Sequence, residues 1–161
     1  MAEDLERLDI LNLGFSGATV ESAIPYFERL FEGIEASKLV LYFGENDIEN
    51  DGLTADYVMK GMEELLAVLR SRFPAVPVYF VSIKHSPGRW AYEFETLNAA
   101  LKGPCNRQND LYYVDLSTCL LGINCLPAGR FFNSDHVHLS ASGYPLWARR
   151  LKAVSTLFTT D

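Results

Sequence analysis

Apolar residues gather along this chain in four short runs: Asp9 to Gly14 (DILNLG), Lys38 to Gly44 (KLVLYFG), Pro77 to Ile83 (PVYFVSI) and Leu111 to Asp115 (LYYVD). Runs this short and this apolar, closed by turn residues, predict strands buried on both faces, as in a parallel sheet. The segments between and after them carry a helical period instead. Val20, Ile24, Phe27, Leu30, Phe31 and Ile34 share one face of a first helix, with Ser22 as the expected N-cap, Pro25 in the first turn and Gly33 near the end. Thr54 is placed to cap a second helix whose stripe is Tyr57, Val58, Met62, Leu65, Leu66 and Leu69, and Pro74 forbids its extension. A third helix fits Tyr92 to Leu101, before Gly103 and Pro104. The last spans Ser142 to Phe158, where SGYP repeats the Ser22 to Pro25 spacing of cap and proline. Alternating strand and helix predicts a three-layer α/β domain with a parallel sheet and right-handed crossovers. Met1 to Leu8 fits the pattern poorly, because it reads as the charged, amphipathic tail of a helix where a strand would normally open the unit. The longest irregular stretch, Leu116 to Leu139, exceeds the usual connection length of this class, a feature of functional loops.

Composition narrows the function. The 161 residues suit a single domain, residues 1–161, able to bury a core without disulfides or metal. With 48% hydrophobic and 22% charged residues, and no apolar run long enough to cross a bilayer, the chain is expected to be soluble, without membrane insertion. AEDLERLD after Met1 lacks the basic start and apolar stretch of a signal peptide, which points to the cytoplasm unless a leader lies upstream. A formal charge of −7 with scattered Lys and Arg argues against nucleic acid and for a small substrate that is not strongly anionic. Cys105, Cys119 and Cys125 are odd in number and lack metal-site spacing, so free thiols are expected over a Cys119–Cys125 disulfide.

Polar clusters stand at the ends of the predicted strands, where ligands of parallel sheets gather. Lys38 to Gly44 runs into Glu45, Asn46 and Asp47, and Asp9 to Gly14 runs into Phe15 to Thr19, within NLGFSGAT. The N–H of Gly17 and the amide of Asn46 are candidate donors to an oxyanion above the sheet. Glu45 reads as solvated and Asp47 as the cap of the turn that follows. In SDHVHLSASGY, Asp135 precedes His138 by three residues, so its carboxylate can hold one ring nitrogen and leave the other as a base. The competing reading is an Asp that caps a turn beside a surface His. His85 and His136 add too little to make these residues a metal site. Trp90 and Trp147 read as packing residues, and Arg89 as either a contact for a substrate anion or one half of a surface ion pair.

Taken together, NLGFSGAT, GEND and DHVH followed by LSASGY resemble the second, third and fifth sequence blocks of the SGNH hydrolases, also called GDSL-type esterases and lipases. SIKHSPGRW, Ser82 to Trp90, is similar to the segment after the fourth strand in a bacterial branch of that family. The resemblance implies a flavodoxin-like α/β/α sandwich and hydrolysis of small-molecule carboxylic esters without a cofactor or metal. It further implies Gly17 and Asn46 as oxyanion donors, His138 as base and Asp135 as its orienter. The family's first block, a strand ending in the nucleophilic Ser, has no counterpart here, so the first strand is expected to be missing and the chain truncated relative to the family. Ser16 is the one candidate substitute, since GFSGA approaches the GxSxG elbow with Ala18 in the final place; its alternative is an ordinary turn serine. Little or no esterase activity is expected from these residues alone. The rival reading is a non-catalytic ligand-binding or interaction module on the same scaffold. The sheet edge left by a missing strand also raises a homo-oligomer that covers it.

Overall fold

The computed structural model describes residues 5–87 and 90–158. Their sheet has three parallel strands, β1 (Leu39–Leu41), β2 (Val78–Val81) and β3 (Leu111–Val114), in the spatial order β1-β2-β3. Leu39 lies opposite Val78, and Phe80 opposite Tyr113. Successive side chains enter opposite cores, which makes the sheet the middle of three layers. On one side Leu39, Leu41, Val78, Phe80 and Leu111 pack against α1 (Val20–Ala23), α2 (Phe27–Leu30), α4 (Ala55–Arg72) and α5 (Ala91–Cys105). On the other, Tyr79, Val81 and Val114 pack against Leu5, α6 (Tyr144–Lys152) and α7 (Ser155–Phe158). A further short helix, α3 (Glu45–Glu49), follows β1 directly. This is the three-layer α/β domain expected from the alternating pattern, of the flavodoxin-like type that the family resemblance implies.

Three of the four apolar runs form strands. The fourth, Asp9 to Gly14, is irregular, with Leu11 63% exposed. A strand exists by sharing its hydrogen bonds with a neighbour, and this segment has none among the described residues: the Gly14 N–H is instead taken by the Asn12 side chain at 3.0 Å. β1 pairs only with β2 among the described residues, and Val40, which faces the second core, stays 48% exposed. Of the expected helix tail Met1 to Leu8, residues 1–4 lie outside the described residues, and Leu5 packs into the second core.

The first predicted helix is broken into α1, a 3-10 turn at Ile24–Tyr26 and α2, because Pro25 brings no N–H to the middle of the span. Its cap is Thr19 and not Ser22. Thr19 Oγ1 accepts from Ser22 N at 3.1 Å, while Ser22 Oγ accepts from Thr19 N at 2.9 Å, a reciprocal capping box. Thr54 caps α4 as expected, accepting from Tyr57 N. The last helix starts at Tyr144 with Pro145 in its first turn and divides into α6 and α7. All three cysteines are free thiols.

Two buried polar side chains close the carboxyl end of β2. Ser82 Oγ accepts the N–H groups of Leu116 and Ser117, both at 2.9 Å. Asn98 of α5 accepts from Ile83 N at 2.7 Å and donates to Ile83 O at 2.9 Å, continuing the ladder with an amide where no strand lies. The backbone that carries Lys84 is therefore held from α5.

Candidate active site

The site is built on the turn after β1. Gly44 adopts φ +105°, the left-handed region that glycine enters without steric cost, and sends the chain straight from strand into α3. A helix of five residues cannot stand by itself in water, and Gly44 offers it no side-chain cap. Two carboxylates tie it down instead. The buried Asp47 accepts from Val20 N at 2.9 Å, at the start of α1. Burial holds the Asp47 carboxyl above its ordinary range, opposed by backbone N–H groups. Glu45 pairs with the Lys84 ammonium through one oxygen and accepts the Tyr42 hydroxyl through the other at 2.8 Å.

One sequence reading is thereby corrected and another extended. Glu45 is not solvated, since its side chain is only 13% exposed and its partner lies 39 residues away. Asp47 reaches beyond its own turn to the N-terminus of α1. Lys84 was missed altogether, although a lysine closing the apolar run PVYFVSIK is a legible sign of a buried cation. Tyr42 packs edge-on against Trp147 at 5.3 Å, and Trp90 lies against the first core, so both tryptophans pack as expected. Arg89 lies outside the described residues.

Asn46 sits between the two anchored acids. Its Nδ2 donates to Ala18 O at 2.9 Å, and its Oδ1 accepts from Asn50 at 3.1 Å. That first bond brings the GEND turn against the NLGFSGAT loop, so Asn46 and Gly17 adjoin the same stretch of backbone. Phe15 to Ala18 form a tight turn closed by Ala18 N to Phe15 O at 3.3 Å, with Gly17 third at φ +73°. The Gly17 N–H meets no acceptor among the described residues. Ser16 is exposed in the same turn, and no hydrogen bond joins it to His138.

The Asp135–His138 pair forms as its spacing predicts. Asp135 Oδ2 meets His138 Nδ1 at 2.9 Å, while Oδ1 accepts the N–H groups of Val137 and His138, both at 2.9 Å. These bonds, led by the Val137 N–H and followed by the His138 ring, lower the Asp135 carboxyl to about 2. One side chain thus both caps the turn and bonds the His138 ring. The ring of His138 is 73% exposed, and Nε2 has no partner among the described residues. His136 takes φ +60° in the turn, and Asn133 N bonds His138 O at 2.8 Å, pinning the loop on both sides of the pair.

Glu49, one helical turn beyond Glu45, lies within electrostatic reach of both halves of the site. Burial raises its carboxyl and the Glu45 charge adds to this, while Lys84 and His138 oppose it. The described residues hold no group of three or more His, Cys, Asp or Glu arranged to bind a metal ion.

A sequence profile of the GDSL-like lipase/acylhydrolase family matches residues 1–146. The chain belongs to this family. No curated protein sequence matches this GDSL-like chain. Among solved structures it resembles a Streptococcus pneumonia protein whose name refers to platelet activating factor, with TM-score 0.82 and 20% identity over 94% of this chain and 75% of that one. It also resembles a carbohydrate esterase of family 3 from Talaromyces cellulolyticus, with TM-score 0.71 and 19% identity over 85% and 66% of the two chains. An acetyl esterase mutant holding an acetate ion matches with TM-score 0.72 and 19% identity over 86% and 66%. The GDSL-like chain thus spans about two thirds of the length of these two esterases, and at such identities the likeness is one of fold. Among the described residues, no helix is long and apolar enough to cross a membrane.

The Asp47 anchor carries a direct expectation. Asp47→Ala leaves the Val20 N–H buried without an acceptor and should cost about 1–3 kcal/mol, read as a lower midpoint in urea unfolding. Hydrogen exchange should quicken most at Val20, Glu21 and the amides of α3.

Proposed function

We propose that this site serves hydrolysis of carboxylic esters of small molecules, with His138 as general base, Asp135 as its orienter, and the Gly17 N–H and Asn46 amide as oxyanion donors. The observation that carries the reading is the 2.9 Å bond from Asp135 to His138 Nδ1, which leaves Nε2 exposed to solvent. In the reaction, Nε2 takes a proton from water, whose oxygen adds to the ester carbonyl. The carbonyl oxygen then carries the negative charge, which the two donors stabilise. Collapse of that intermediate expels the alcohol with the proton from His138 and leaves the acid. No cofactor enters. Because no serine is bonded to His138 among the described residues, turnover by this chain is expected to be weak or absent.

A second reading rests on that same missing hydroxyl: a module that binds a small carboxylate or ester without turning it over. p-Nitrophenyl acetate separates the two. Release above the buffer rate that falls by about 10²-fold or more in His138→Ala, the range of a general base, supports hydrolysis. Release that His138→Ala leaves unchanged removes His138 from the chemistry. No release, together with specific binding of acetate at Gly17 and Asn46, favours the binding module.

A further inference from the structure

Lys84 is 5% exposed, yet neither half of the proposed chemistry uses it. A buried lysine costs more than the apolar residue that would fill the same space, unless its charge has a task. Its ammonium pairs with Glu45 and lies 6.0 Å from the centre of the Tyr42 ring. Its own backbone follows Ile83, whose N–H and C=O are both held by Asn98. Glu45 opens α3, and the next residue is Asn46. A continuous set of contacts therefore runs from α5 through Asn98, Ile83, Lys84 and Glu45 to the amide that bonds Ala18. Asp47 secures the opposite side of the same turn. With no side-chain cap at Gly44, these two carboxylates are what orients the turn.

We infer that Lys84 is a positioning residue for Asn46, acting through Glu45 to hold the amide against the Gly17 loop. This rests on the reading of Asn46 as an oxyanion donor, so its test needs one measurement with a ligand and one without. The ligand is acetate, whose carboxylate offers the oxygens that an oxyanion site takes. The measurements are NMR shifts and exchange on the full chain.

In the wild type, acetate should shift the Gly17 N–H and Asn46 side-chain signals together. Lys84→Met and Glu45→Gln should each weaken acetate binding at least tenfold and speed exchange of the Asn46 amide protons in the absence of acetate by a similar factor. The double variant should be no worse than the weaker single one, since both act on one contact. The His138 ring signals at fixed pH should stay in place in all three, because its orienter is Asp135. General unfolding would move the His138 signals as well, which separates positioning from a merely structural role. If Lys84→Met does not fold, Glu45→Gln, which keeps an acceptor for Tyr42, decides by itself. Exchange and binding within twofold of wild type in the folded variants would overturn the inference, as would additive losses in the double variant. Wild-type protein that shows no acetate response at Gly17 and Asn46 would overturn the ester-site reading, and the ligand-free exchange of Asn46 would still decide the role of Lys84.

Discussion

Gly44→Ala should destabilise the chain by roughly 2–6 kcal/mol, a large share of the stability of an ordinary domain. Two costs add. At φ +105° an alanine is forced into a region that L side chains rarely occupy, at about 1–3 kcal/mol. Its Cβ would also stand 2.5 Å from Leu97 Cδ2, 3.3 Å from Val58 Cγ1 and 3.4 Å from Ile83 Cδ1. Leu97 is fully buried, so displacing its side chain disturbs the core and overpacking adds about 1–3 kcal/mol. The strain falls on the residue that turns β1 into α3, and so on Asn46. Urea unfolding should show a lower midpoint with an unchanged slope. Where the variant still folds, acetate binding should weaken in step with faster exchange across α3. A stability within about 0.5 kcal/mol of wild type would mean that the turn relaxes freely and that Gly44 is not what sets its geometry.

Asn98→Leu should be nearly as damaging, at roughly 2–6 kcal/mol, because it keeps the branched shape but strands two buried groups of Ile83, each worth about 1–3 kcal/mol. The amide supplies one acceptor and one donor to a single residue, at 2.7 and 2.9 Å. Asn98→Asp keeps the acceptor, and its carboxyl donates to Ile83 O only when protonated, so its loss should fall between wild type and Asn98→Leu. Exchange at the Ile83 amide reports the break directly. Because Ile83 carries Lys84, this substitution should also loosen Asn46 some way from the mutated atom. Stability unchanged in Asn98→Leu would show that water or a neighbour satisfies Ile83.

How far the sequence alone reaches is clear from particular residues. The strands at 38–44, 77–83 and 111–115 were legible because burial on both faces leaves an unbroken apolar run, and α4 was legible from its stripe and its Thr54 cap. The Asp135–His138 pair was legible because its bonds span two or three residues. Placing the cap of α1 at Ser22 missed by one turn, since Thr19 and Ser22 are reciprocal partners and either reads as a cap.

Other features depend on what the chain meets elsewhere. Asp9 to Gly14 has the composition of a strand, but pairing is a property of two segments, and none of the described residues takes the second place. Glu45 is an acid at a helix start, ordinarily a solvated one, until β2 delivers Lys84 beside it. Asp47 likewise gains its role from Val20, 27 residues earlier. The layers, the family and the Asp135–His138 bond could be read from the chain alone, because hydrophobic period and short-range hydrogen bonds are set by neighbours in sequence. Only the tertiary structure decided how GEND is held. Its two acids are bound by groups that come within reach once the strands have paired and the helices have packed, and the burial that follows makes those bonds costly to break.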